Sequence, residues 1–85
     1  MGTDDKKMTK KRSLIKKYFS NEVYIELLRI TMIADADNNE KGILIKKLLR
    51  ENNIPFNGLG SGTNRMAVQI EGYAVKIALD KDGID

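Results

Sequence analysis

Lys76 is the residue whose surroundings best fit it for chemistry on a ligand. It stands alone among apolar and small residues in Tyr73-Ala74-Val75-Lys76-Ile77-Ala78. That segment follows the run Leu59-Gly60-Ser61-Gly62-Thr63-Asn64-Arg65-Met66-Ala67-Val68. Glycine has no Cβ, so the backbone amides of such a turn can approach a phosphate closely. A lysine on the neighbouring strand adds a compact positive charge. Together these residue types suggest a nucleotide site, or the shell of one.

The elements that must position them are strands. Met66, Val68 and Ile70 alternate with Arg65, Ala67 and Gln69, and Tyr73, Val75, Ile77 and Leu79 alternate with Ala74, Lys76, Ala78 and Asp80. Period two on both sides of Glu71-Gly72 predicts a hairpin, 65–70 with 73–79, closed by a two-residue turn. The register then pairs Ile70 with Tyr73, Val68 with Val75 and Met66 with Ile77 on the core face. Gln69 meets Ala74, Ala67 meets Lys76 and Arg65 meets Ala78 on the other. Lys76 thus lies on a flat small-residue surface where a planar ligand fits. Ile54–Asn57 offers a short first strand, which puts the glycine turn between the first two strands of an antiparallel meander.

Two phosphate-binding motifs fail on context. A dinucleotide fingerprint needs a helix after its glycines, and a hairpin follows here. A Walker A loop needs a closing Gly-Lys-Ser/Thr, which is missing. The glycine-rich loop of the protein kinases does join two antiparallel strands. Leu59-Gly60-Ser61-Gly62 resembles its opening Leu-Gly-x-Gly, and Ala74-Val75-Lys76 resembles the Ala-x-Lys of the third kinase strand. Residues 54–80 are therefore similar to a kinase N-lobe. The stretch from Gly62 to Val68, with Gly72 to Asp80, also resembles phage- and prophage-encoded kinase-like proteins of Gram-positive bacteria.

The resemblance implies ATP as the ligand. It places Gly60, Ser61, Gly62, Thr63, Asn64 and Arg65 in the phosphate-binding loop, Ala67 over the adenine, and Lys76 at the α- and β-phosphates, with Ala74 the further ligand-binding residue of the Ala-x-Lys match. This sequence departs from the family at Arg65, which replaces the third glycine. It also lacks the His-Arg-Asp and Asp-Phe-Gly motifs and a helix after the third strand. The expectation is a non-enzymatic piece of a longer kinase-like protein, with no metal held by this chain alone.

Composition narrows the remaining chemistry. With no cysteine and no histidine among 85 residues, disulfides, thiolate chemistry and His-based catalytic triads are excluded. Hydrophobic residues make up 41%, which suits a small globular domain. No apolar run approaches the ~20 residues that span a bilayer, and the charged N-terminus lacks a signal core, so a cytoplasmic location without membrane contact is expected.

Charge is uneven along the chain. Residues 1–19 carry seven basic residues against two acidic ones, while the remainder is slightly acidic. Lys10, Lys11, Arg12, Lys16 and Lys17 are the candidates for contact with nucleic acid or an acidic partner. Residues 1–8 read as a flexible leader to a single domain spanning 9–85, helical over 9–52 and β over 54–80.

Apolar spacing predicts helices over Thr9–Phe19, Asn21–Ala34 and Glu40–Glu51. The second is apolar on most sides, which suits either a buried centre or a face for a protein partner. That partner would be a host or phage protein, docked by a small binding module. Calcium loops at Asp37 and Asp80 fail on ligand spacing and read as turns. The fold class is α+β: two or three N-terminal helices packed on a small antiparallel sheet. Leu27, Leu28, Leu44, Leu48 and Leu49 are expected to meet the apolar sheet face.

Overall fold

The computed structural model describes residues 3–84. Three helices, α1 (Thr3–Tyr18), α2 (Asn21–Thr31) and α3 (Asn38–Glu51), precede three strands, β1 (Asn57–Ser61), β2 (Arg65–Ile70) and β3 (Tyr73–Ala78). A single 3-10 turn at Lys81–Gly83, here the closing turn, follows. The strands form one antiparallel sheet in the order β1-β2-β3, so the fold is α+β. Residues 1 and 2 of the expected leader lie outside the described residues, and α1 begins at Thr3 rather than near Thr9.

Side-chain caps set the helix boundaries. Ser20 opens α2 by accepting from the Val23 amide, and Asp37 opens α3 by accepting from the Glu40 amide at 2.8 Å. A short polar side chain at this position satisfies a backbone donor that has no partner within the helix. The Asp37 cap starts α3 at Asn38, before the expected Glu40. At the other end Asn53 takes a left-handed φ of 57°, which sends the Asn53 amide to Arg50 O and the Ile54 amide to Leu49 O. This is a Schellman closure, and its apolar contact sets Ile54 against Leu49, both buried.

That closure corrects the expected first strand. Ile54 belongs to the end of α3 and to the core, Pro55 has no amide to offer a ladder, and β1 begins only at Asn57. The second helix also ends earlier than expected, at Thr31 rather than Ala34, with the Thr31 carbonyl bound by the Lys41 ammonium at 2.9 Å.

The buried helix stripes run at steps of four, Val23-Leu27-Thr31 on α2 and Lys41-Ile45-Leu49 on α3. Their polar members meet through the Lys41–Thr31 bond, so a buried ammonium caps the negative end of α2. Ile45 and Leu49 pack with Met66, Val68, Ile70, Val75, Ile77 and Leu79, joined by Leu14 of α1. Leu28 and Leu44, expected in this core, remain 37% and 38% exposed, because the stripes are centred on their neighbours Leu27 and Ile45. Leu48 packs at the margin.

Candidate functional site

The β2–β3 hairpin turns on Glu71 and Gly72, both at positive φ (50° and 85°), the geometry that suits the twist of a two-residue turn. Every pair of the expected register is present, and Lys76 lies opposite Ala67. Met66, Val68, Ile70, Val75 and Ile77 are buried on the core face, whereas Lys76 is exposed on the other.

The β1–β2 hairpin is less regular. Gly58 pairs with Val68 and Gly60 with Ala67, so Leu59 is the extra residue of a bulge. Gly60 sits at φ 146°, a conformation that side chains disfavour. At the tip, the Gly62 amide donates to Arg65 O at 2.7 Å.

The rest of the tip is tied to distant parts of the chain. The Leu79 amide donates to Asn64 O at 2.9 Å, and Asn38 Nδ2 at the start of α3 donates to Thr63 O at 2.7 Å. The carbonyls of Thr63 and Asn64 are thereby taken, while their amides carry no hydrogen bond among the described residues.

The closing turn completes the brace. Asn38 Nδ2 also donates to Asp80 Oδ2 at 2.9 Å, and Asp80 Oδ1 accepts from the amides of Asp82 and Gly83. These bonds, Asn38 first, hold the Asp80 carboxyl below the usual aspartate range, with Lys41 adding to the effect. Arg65 Nε donates to Gly83 O at 2.9 Å. Gly83 is packed so closely that a Cβ there would collide with Asn64 O.

Of the residues selected from the sequence, Gly60, Ser61, Gly62, Arg65, Ala67 and Lys76 line one open concavity of about 390 Å³. Thr63 and Asn64 form the apex beside it, and Ala74 lies outside it, exposed and paired with Gln69. A family model, a curated protein or a solved structure similar to this chain was sought, and none matches.

Of the basic candidates, Lys10 and Lys17 line one concavity with Glu71 and Tyr73. Lys10, Arg12 and Lys16 are exposed and Lys11 is half-buried. Lys17 turns toward the β2–β3 turn, its Nζ 3.5 Å from Glu71 Oε2 and 5.0 Å from the Tyr18 ring centre. The Tyr18 hydroxyl and Glu71 raise the Lys17 pKa, and Tyr18 ahead of Lys17 lowers that of Glu71. Both partners are exposed, so solvent screens their attraction. Among the described residues no helix is long and apolar enough to cross a membrane.

Sequence reasoning did not find Asn38, Asp80, Gly83 and Lys41 as positioning residues. Asp80 and Gly83 read only as a turn, and Asn38 only as part of a polar break. No local pattern marks a bond across forty residues of chain, as between Asn38 and Asp80 (|i−j| = 42).

Proposed function

We propose that the β1–β2 tip and the Lys76 face form a nucleotide-phosphate surface of the kinase N-lobe kind. The supporting observation is convergence: Gly60, Ser61, Gly62, Arg65, Ala67 and Lys76 line the same concavity. The open amides of Thr63 and Asn64 are donors suited to phosphate oxygens, and Lys76 supplies charge across the sheet from Ala67. The small side chain of Ala67, opposite Lys76, leaves room in the concavity for a purine ring. The surface binds and orients, and this chain is assigned no reaction.

A titration with magnesium-ATP followed by amide chemical shifts tests this reading. Shifts are expected at Gly60–Arg65 and at Lys76, with Lys76→Met weakening binding at least about tenfold, or about 1.4 kcal/mol. Unchanged amides at millimolar ATP would overturn it.

A second reading, a small module that docks on a host or phage protein, is favoured by one observation. Tyr24, Ile25 and Met32 of α2 and its C-cap are 58%, 49% and 62% exposed. Here Ile25→Glu with Met32→Glu is expected to abolish capture of the partner while leaving the nucleotide titration unchanged. Capture that survives both substitutions would reject this face.

A further inference from the structure

Helix α1 is anchored by its apolar side and leaves its basic side open. Leu14 is buried in the core, and Tyr18, four residues on, packs against it. Successive residues of a helix step by about 100°. Around α1, away from that anchored stripe, the order is Arg12, Lys16, Ser13, Lys17, Lys10, an arc of about 160°. All five are exposed. The arc holds four cations and one hydroxyl, with no carboxylate and no apolar side chain.

Little of this charge is neutralised within the fold. Lys17 meets Glu71 at 3.5 Å, whereas Lys10, Arg12 and Lys16 have no ion pair or hydrogen bond among the described residues. Seven of the fifteen basic residues lie in residues 1–19, against two of the twelve acidic ones. Like charges gathered on one exposed face repel one another and add nothing to packing, and a polyanion relieves that repulsion.

The order around the arc selects the polyanion. Arg12 and Lys16 sit at one margin, Lys10 and Lys17 at the other, and Ser13 between them. A helix in the major groove of B-form DNA has phosphates along both flanks and base edges in front. Helix and groove also match in width, at about 10–12 Å and about 12 Å. An acidic protein calls for an apolar centre to its interface, which the arc lacks. An anionic membrane takes up the apolar side of a helix, and the core already holds that side of α1. The major groove of duplex RNA is too narrow for a helix.

We infer that α1 lays this arc in the major groove of a DNA duplex and holds phosphates on both walls, without reading sequence. Arg12 and Lys16 grip one strand and Lys10 the other, while the short Ser13 lets the helix approach the base edges. Lys17 is engaged by Glu71, so Glu71 limits the grip.

Fluorescence anisotropy of a labelled DNA duplex titrated with the full chain, from about 50 to 200 mM salt, tests this. The expected dissociation constant is about 0.1 mM or lower at the low-salt end, with a slope of log K against log salt of about −3 or steeper. Arg12→Gln with Lys16→Gln keeps helix-forming side chains at exposed positions and is expected to reduce the steepness by about 2. Lys47→Gln, at an exposed cation of α3 outside the arc, leaves the slope unchanged. Glu71→Gln frees Lys17 and is expected to tighten binding and steepen the slope by about 1, a gain that misfolding does not produce.

No binding at about 50 mM salt overturns the inference. So does a slope indifferent to Arg12 and Lys16, or binding unchanged by Glu71→Gln. Tighter binding to single-stranded DNA, to duplex RNA, to poly-glutamate or to phosphatidylserine vesicles overturns it as well.

Discussion

Strand β2 is shared by two hairpins of unlike construction. The β2–β3 hairpin turns on Glu71 and Gly72 and runs without interruption to Arg65 opposite Ala78. The β1–β2 hairpin carries a bulge, a glycine at φ 146° and a tip held by Asn38, Leu79 and the closing turn. The first has its instructions in adjacent residues: alternation and a turn that accepts positive φ. The second depends on groups that the fold must deliver from elsewhere. The candidate site spans both, taking Lys76 from the self-contained hairpin and its phosphate donors from the dependent one.

Substituting the shared strand should break both hairpins together. Ile70 is fully buried, and Ile70→Ala is expected to cost about 2–5 kcal/mol in urea unfolding. Amide protection would fall across β1, β2 and β3 alike. A loss confined to one hairpin would show that β2 does not couple them.

Gly83→Ala is the sharper probe. Its Cβ would collide with Asn64 O and lie 3.2 Å from both Ala78 Cβ and Arg65 Cγ. Overpacking of this kind costs about 1–3 kcal/mol. Exchange protection is expected to drop at Arg65 and Leu79 while Val68 and Val75 keep theirs. Equal loss at all four would erase the distinction between the hairpins.

Gly72→Ala makes the converse test. Gly72 sits at φ 85° with open space where a Cβ would go, so the cost is backbone strain alone, about 1–2 kcal/mol. The loss is expected in the β2–β3 turn, with the bonds of Asn38 at the other tip unchanged in the amide spectrum.

Asn38→Ala removes two donated bonds, to Thr63 O and Asp80 Oδ2, at about 1 kcal/mol. The expected readout is faster exchange at Gly62–Arg65 and weaker magnesium-ATP binding with Lys76 intact. Binding that is unaffected would separate the brace from the site.

Acid should give the smallest effect. The folded Asp80 carboxyl titrates below its ordinary 3.8, so its contribution is complete above that value and is lost as pH falls through the lower folded one. Acid shifts are expected at the Asp82 and Gly83 amides and at the Asn38 side chain. Glu71, also lowered from its ordinary 4.5, titrates in the same direction but releases α1 from the other turn. A closing turn whose amides stay fixed well below 3.8 would show that Asp80 does not hold it.

Much of this architecture was readable in the chain. Period-two alternation about Glu71-Gly72 determined the β2–β3 register, because a slip of one residue would expose Met66, Val68 and Ile70. The helix ends at Ser20 and at Asn52 are set by capping, which is local chemistry. The rotation of the helices was less legible. Leu27 and Leu28 are equally apolar, and only the neighbouring elements select Leu27 for the core. Lys41 gave no sign of burial, since the partner that permits it, the Thr31 carbonyl, exists only when α2 ends beside α3.

By itself, then, the sequence determined the α+β class, the β2–β3 register and the position of Lys76 opposite Ala67, because hydrophobic period and turn conformation act between near neighbours. Tertiary structure alone decided which side of each helix is buried and how the glycine tip is held. Those outcomes rest on hydrogen bonds and packing between residues far apart in the chain, such as Asn38 with Thr63 and Arg65 with Gly83. Such contacts have no energy until the whole fold brings them together.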